Sequence, residues 1–365
     1  MTVHVIFIIL LFLTYYITGG IDGEKDQMIR KRQVTYMGLL LFFFAALRSP
    51  VVGGDILGIG VNGYWDDYSV DADMSFAELL VMRAGRDPIF HCFLKVLSLL
   101  SDSPQTMLIA VGAIFAFGFS YFVYHSKGNV LLTFMMLIGF RIFSFSLSGL
   151  RQAVALGLIY IAYIAFIDKK YKQFVILTCV AALFHNSALI FLLSWPLLFF
   201  KVTYVVCALL LCLLINIGTN GIIVGYLGST FFGGRFDSYM EKSVSMAFEG
   251  GATFFIYVFF YLLILISYRI IKRKDVTFDK EFGILSVGMF FSTIGQSMSN
   301  VFRIAYYFIF LLFPATSQMI ISIVKDKKSY SFCCFFASLL LALQYLLLGP
   351  GAGTDKYDFF WNFHY

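Results

Sequence analysis

Arg48, Arg151 and Arg303 each stand at the end of a long apolar run. Arg48 closes one run, Arg151 opens another directly after Ser146-Leu-Ser-Gly149, and Arg303 opens a third after Gln296-Ser-Met-Ser-Asn300. Arg86-Asp87 and Arg235 with Asp237 fall in the two longest connections between runs, and Asp55 lies near the start of the first. Arg141 stands apart, inside a run. His185 sits at a turn, between Ala181-Ala-Leu-Phe184 and Asn186-Ser187. A charge at membrane depth is costly and needs a partner. A single arginine near a run's end can extend its head to lipid phosphate. A set at one level asks for a shared anion. Guanidinium pairs bidentately with phosphate oxygens, so several converging forks suit a diphosphate. His185 has no cysteine or second histidine at ligand spacing, which argues against a metal. Its imidazole titrates near neutrality and can act as a general base, or it can simply bond a helix end.

The elements that must position these residues are membrane helices. Hydrophobic residues make up 60% of the 365 and charged residues 13%, whereas soluble domains carry roughly a quarter charged. The 44 Phe and 22 Tyr suit lipid-facing packing and interfacial belts. Twelve apolar runs are candidate spans: 3–18, 34–47, 106–124, 129–147, 150–167, 173–184, 188–200, 202–218, 252–271, 282–298, 302–324 and 331–348. The expectation is an all-α polytopic membrane protein of about 12 transmembrane helices, within a range of 10–12. It forms one domain over 1–365, with outer inserts at 48–105 and 219–251. Run 3–18 resembles a signal-peptide core, but basic residues follow it rather than precede it, so it reads as an uncleaved first span with its N-terminus outside. Within 48–105, helices are expected near 75–84 and 88–101; the second is too short to span and reads as interfacial or re-entrant.

Orientation turns on the segment around His185. Between Lys172 and Lys201 the chain would make one helix of about 42 Å, long for one span and short for two. A single span would invert everything downstream and put Arg269, Lys272, Arg273 and Lys274 outside. Two short helices meeting at His185-Asn186-Ser187 keep them inside. Seventeen of the 27 Lys and Arg then face the cytoplasm, with a net charge of +9 inside against −3 outside. Arg48, Arg86, Arg151, Arg235 and Arg303, with Asp55, Asp87, Asp237 and His185, all fall at the outer boundary.

Other readings of the sequence are weaker. The net charge of +6 is scattered rather than striped, which argues against nucleic acid. Cys92, Cys179, Cys207, Cys212, Cys333 and Cys334 show no CxxC spacing and read as small hydrophobes. Gly58-Ile-Gly60-Val-Asn-Gly63 matches a dinucleotide fingerprint literally, but it follows a span and an acidic, glycine-rich turn instead of a strand, so it reads as an external loop. No GxxxxGK[ST] phosphate loop occurs. No cofactor is expected.

Ser148-Gly-Leu-Arg151-Gln-Ala-Val-Ala-Leu-Gly-Leu, Lys169-Lys-Tyr-Lys-Gln-Phe and Ala181-Ala-Leu-Phe-His185-Asn-Ser-Ala-Leu-Ile resemble the EpsG-like family of Wzy-type polymerases. Leu47-Arg48 before Gly54-Asp55, Gly85-Arg86-Asp87-Pro88, Arg303-Ile-Ala-Tyr-Tyr-Phe and the aromatic tail Tyr357-Asp-Phe-Phe-Trp361 agree. The chain departs from that pattern at Ser49-Pro50, where the family often has a tyrosine, and at Tyr64, which comes later than usual.

The resemblance implies a membrane glycosyltransferase of GT-C-like architecture in the bacterial inner membrane, with its active site facing the periplasm or cell exterior. It would join undecaprenyl-diphosphate-linked oligosaccharide repeat units, as donor and acceptor, into O-antigen, capsule or exopolysaccharide, with a chain-length regulator as a possible partner. Under that reading His185, Arg151 and Arg303 are catalytic. Arg48, Asp55, Arg86, Asp87, Arg235, Tyr64 and Trp361 bind substrate, with Asp55 or Asp87 as the alternative base. An O-antigen ligase-type glycosyltransferase would use the same donor, and a polysaccharide transporter would also need many spans. A transporter, however, would show repeats and midplane charges.

Overall fold

The computed structural model describes residues 1–20, 26–58, 63–84, 87–218, 251–275, 278–295, 299–324 and 326–363. The described residues are helical apart from turns and one isolated antiparallel bridge, Arg48 to Phe359. The chain forms two compact units, Met1–Leu189 with Asp326–Tyr365, and Ile190–Lys325.

The first unit is built around α10 (Leu150–Ile167), whose apolar stretch is 78% buried. It packs against α7 (Gln105–His125) and α11 (Tyr171–Phe184), and α7 in turn against α2 (Gln27–Ala46). Small residues make these close crossings possible. A Cβ on Gly118 would fall 2.1 Å from the Gly157 carbonyl oxygen, so α7 and α10 touch backbone to backbone there. Apolar side chains gain little by leaving lipid, so such close packing is what holds membrane helices together. The start of α2 is capped by Asp26, whose carboxylate accepts from the Met28 and Ile29 N–H groups. Arg30 donates to four carbonyls at the end of α7, those of Val123, Tyr124, Ser126 and Gly128, which satisfies groups that a helix terminus leaves open.

Before α7 come four short helices, α3 (Gly54–Leu57), α4 (Tyr64–Asp73), α5 (Phe76–Met82) and α6 (Pro88–Ser98). Of these, α5 and α6 match the helices expected near 75–84 and 88–101, whereas α3 and α4 are not among the expected helices. The segment before α3 is sewn to the C-terminal tail. Ser49 N–H bonds Asp358 O at 2.9 Å, Gly53 N–H bonds Gly353 O at 3.1 Å, and Phe360 N–H bonds Leu47 O at 3.0 Å. The tail also binds α1 (Thr2–Ile17), where His4 Nε2 meets Thr354 O at 2.8 Å.

Two expected spans are broken. Run 129–147 splits into α8 (Val130–Gly139) and α9 (Ile142–Ser148), bent by 56°. The break is at Arg141, which is left-handed at φ 59° and turns its guanidinium to the Leu348 carbonyl. A charge inside an apolar run is where the helix stops. In the second unit, α12 (Val202–Gly218) is followed by α13 (Gly251–Lys274), α14 (Phe278–Ile294), α15 (Ser299–Ile309) and α16 (Leu312–Ile323); α15 and α16, from run 302–324, meet at 46°. Run 188–200 forms tight 3₁₀ turns over Asn186–Ser194 and Pro196–Phe199 rather than an α-helix. Pro196 has no N–H to donate and so interrupts an α-helical ladder. The last helix of the chain, α17 (Lys327–Leu348), belongs to the first unit and packs on α8.

Among the described residues, four helices are long and apolar enough to cross a membrane, or up to six if each bent pair is one span. The twelve apolar runs therefore do not become twelve long helices. Several are short, such as the 16 residues of α1 and the 14 of α11.

Candidate active site

Four element ends converge in the first unit. Tyr64 is the first residue of α4, Asp87 the N-cap of α6, Arg151 the second residue of α10 and His185 the C-cap of α11. Helices α10 and α11 form a hairpin through the turn at 168–170, which returns His185 to the end where α10 begins. Phe93 of α6 meets Phe184 of α11 edge-on at 5.7 Å, and this docks His185 beside the start of α6. Phe90 meets the Tyr64 ring at 5.6 Å and fixes α4 against α6.

Asp87 is the hub. Its Oδ2 receives Arg151 Nη1 at 3.0 Å and His185 Nδ1 at 3.2 Å. Arg151 Nε donates to the Tyr64 hydroxyl at 3.1 Å, and its guanidinium carbon lies 5.7 Å from the Tyr64 ring centre. The carboxylate is 9% exposed, whereas the arginine and histidine side chains are 29% and 28% exposed. The acid is the most buried of the three, and the arginine and histidine heads stand nearer the surface. Burial pushes the Asp87 carboxyl up. The bond from His185, the charges of His185 and Arg151, and the Asn186 N–H outweigh it and hold the group below its ordinary value. Asp87 therefore stays ionised and is a poor proton acceptor. Its backbone is left-handed, with φ 58° and ψ 68°, a conformation uncommon outside glycine but better tolerated by Asp than by most residues.

This geometry assigns the two nitrogens of His185. With Nδ1–H donated to a carboxylate, Nε2 carries the lone pair. The arrangement can accept a proton at Nε2 and can present a guanidinium to an anion nearby.

A second ionic cluster lies beneath. Asp71 Oδ2 meets His91 Nδ1 at 2.6 Å and Asp71 Oδ1 meets Arg83 Nη2 at 2.9 Å; the same Arg83 nitrogen lies 3.0 Å from Asp67. Asp71 and His91 are buried. None of these four residues is among the sequence-derived site candidates. The signal that could have found them is spacing: Tyr64, Asp67 and Asp71 lie at i, i+3, i+7, and Asp87, His91 and Lys95 at i, i+4, i+8, each set on one helix face.

The other expected residues separate. Arg48 is fully buried and donates to the Ala45 and Leu147 carbonyls, so it staples the end of α2 to the end of α9. Asp55 is exposed on α3, its N–H bonded to Ser148 Oγ at 3.2 Å. Trp361 is 54% exposed and stacks on Phe359 at 4.5 Å. Arg303 lies on α15 in the second unit. Arg86 and Arg235, with the second outer insert, lie outside the described residues. Among the described residues no group of three or more His, Cys, Asp or Glu is placed to hold a metal ion.

An apolar helical scaffold with ionised groups gathered at helix ends defines an all-α membrane protein. The sequence model of the EpsG family matches residues 31–360, nearly the whole chain. The protein belongs to the EpsG family, a Wzy-type polymerase-like family. No curated protein and no solved structure matches it.

Proposed function

We propose that this protein is a glycosyltransferase that joins oligosaccharide repeat units carried on undecaprenyl diphosphate into a longer polysaccharide, at the outer face of the bacterial cytoplasmic membrane. Family membership supports the reaction class. The observation that carries the assignment of residues is the Asp87 carboxylate, which receives Arg151 and His185 together. The orientation, and the full complement of about twelve spans, rest on the distribution of basic residues and apolar runs along the chain.

In the proposed step an acceptor hydroxyl attacks the anomeric carbon of the donor sugar. The new C–O bond forms as the bond from that carbon to the diphosphate oxygen breaks, and the electron pair leaves with the diphosphate. His185 Nε2 takes the hydroxyl proton. Arg151 lies where negative charge grows on the departing group, and a fixed guanidinium in a poorly hydrated site stabilises that charge more in the transition state than in the ground state. Asp87 holds both residues and fixes the histidine tautomer. The family resemblance extends a role to Arg303 as well, which its own substitution by lysine tests separately.

The test is chain growth by purified protein supplied with lipid-linked repeat units and read as a polymer ladder. His185→Gln keeps a hydrogen-bonding group but cannot accept a proton at neutral pH. It should slow extension by about 10²–10⁴-fold while the protein still inserts and binds donor. Near-normal ladders from this variant would make His185 structural. No extension by the unsubstituted protein would remove the polymerase reading itself.

A further inference from the structure

Helices α4 and α6 lie side by side, and each carries one residue of the candidate active site at its start: Tyr64 on α4 and Asp87 on α6. Below these residues the same two faces are joined by ionic contacts. His91, one turn after Asp87, bonds Asp71 of α4; Lys95, a further turn on, donates to the Ala72 carbonyl. Arg83, at the end of α5, reaches back to both Asp67 and Asp71. Asp67 lies one turn after Tyr64, and its charge also acts on Arg151. A series of bonded groups therefore runs from His91 through Asp71 and Arg83 to Asp67, one turn from Tyr64, beside the direct Asp87–Arg151 pair.

Buried charges of this kind are costly unless every member is paired, and removing one leaves the others uncompensated. The two helices alone, of 10 and 11 residues, are too short to be stable by themselves. Their relative placement has to come from contacts between them. The phenylalanine contacts supply adhesion, whereas directional bonds fix register. A shift of one helix along the other would break the His91–Asp71 bond and, in the same motion, change the separation of Tyr64 and Asp87.

We propose that His91, acting through Asp71, Arg83 and Asp67, is a positioning residue for the active site, setting the separation of Tyr64 and Asp87 and so the seat of Arg151 and His185. This rests on the reading of Asp87, Arg151 and His185 as the reacting groups. None of the four cluster residues touches substrate in this scheme.

The test compares His91→Asn, whose amide can occupy the Nδ1 position and keep the bond to Asp71, with His91→Leu, which fills space but donates nothing. The first readout is ¹⁵N NMR of histidine-labelled protein in detergent, where only five histidines contribute and the His185 signals are identified by their loss in His185→Gln. His185 should show the Nδ1–H form in the unsubstituted protein and in His91→Asn. In His91→Leu it should shift towards the Nε2–H form that free imidazole prefers. The second readout is chain growth, which His91→Leu should reduce by about tenfold or more, since misplacing a reacting group by about an ångström costs up to 10²-fold; His91→Asn should restore it. If His91→Leu fails to accumulate in the membrane, Asp71→Asn carries the same expectations. An unchanged His185 tautomer with normal growth overturns the proposal, as does a fall in growth that His91→Asn fails to rescue. If the unsubstituted protein extends no chain while the His185 tautomer still follows residue 91, the positioning network stands and the polymerase reading falls.

Discussion

Replacing Asp87 by asparagine isolates what its charge does. Arg151 and His185 both converge on one oxygen, Oδ2, at 3.0 and 3.2 Å. An asparagine in the same pose offers one carbonyl oxygen without charge, and in the flipped pose it presents an NH₂ to two donors. Hydrogen bonds to charged groups contribute about 1.5–3 kcal/mol each when well formed. Here the partners are more than a quarter exposed, so water recovers part of that loss, and one neutral bond survives. The net cost to stability should be about 1–2 kcal/mol at neutral pH. The sign of the pH dependence follows from the carboxyl being held below its ordinary value of 3.8. Its contribution is fully present above that unfolded value and is lost as pH falls through the lower native one. Unfolding in detergent should therefore show a gap between unsubstituted protein and Asp87→Asn that is present at about pH 5 and closes as pH falls below it. Chain growth should fall by about 10²-fold or more, because the histidine tautomer and the arginine seat are both released. A gap that fails to close at low pH, or growth within threefold of normal, would refute the assignment of Asp87 as the shared anchor.

Two further outcomes follow from the same geometry. Arg151→Lys keeps the charge but cannot serve Asp87 and Tyr64 from one planar head while also meeting an anion. Growth should drop by about tenfold or more with little change in membrane insertion, and a fully active lysine variant would reduce the role of Arg151 to simple charge. Cysteine labelling from outside the cell should reach residues in 48–105 and 219–251 but not in 25–32, 169–172 or 269–280; outside labelling of 269–280 would invert the orientation beyond His185.

The sequence disclosed Arg151, Asp87 and His185 because each is a polar residue at the outer boundary of the apolar runs, where membrane insertion allows no casual charge; Tyr64 entered only through the family resemblance, as a substrate-binding residue. It could not disclose that these four meet, because they come from four separate elements and their convergence depends on how α6 docks on α11. Arg48 shows the opposite failure. Its type and place at a run's end are the same as those of Arg151, yet two of its nitrogens donate to the carbonyls of Ala45 and Leu147. An arginine that staples two helix ends and one that joins the candidate site look alike in sequence. The number of spans is poorly legible for a related reason. Hydropathy registers apolar residues whether they face lipid or protein, and α10, the most buried of the four long apolar helices among the described residues, is mostly covered by its neighbours. Short helices such as α11 satisfy the same hydropathy without the length to cross alone.

The placement of the candidate site residues at element ends follows from the solvent. Charge within hydrocarbon is costly, so the interiors of spanning helices are left to apolar packing. At the ends, side chains of opposite charge meet nearer to water and can also take up the backbone groups that a helix terminus leaves open. The hairpin of α10 and α11 places Arg151 and His185 at one end, and Lys169, Lys170 and Lys172 at the other. Arg30, expected on that same basic side, is consumed in closing α7. The same class of residue thus does two different jobs, set by what stands opposite. Where Asp87 supplies a buried carboxylate shared by Arg151 and His185, the end of the hairpin keeps two partly exposed heads at a fixed spacing. Where only carbonyls stand opposite, the basic head closes a helix end. An acid more buried than the arginine and histidine it holds, rather than the number of arginines nearby, distinguishes the candidate active site from the helix ends closed by Arg30 and Arg48.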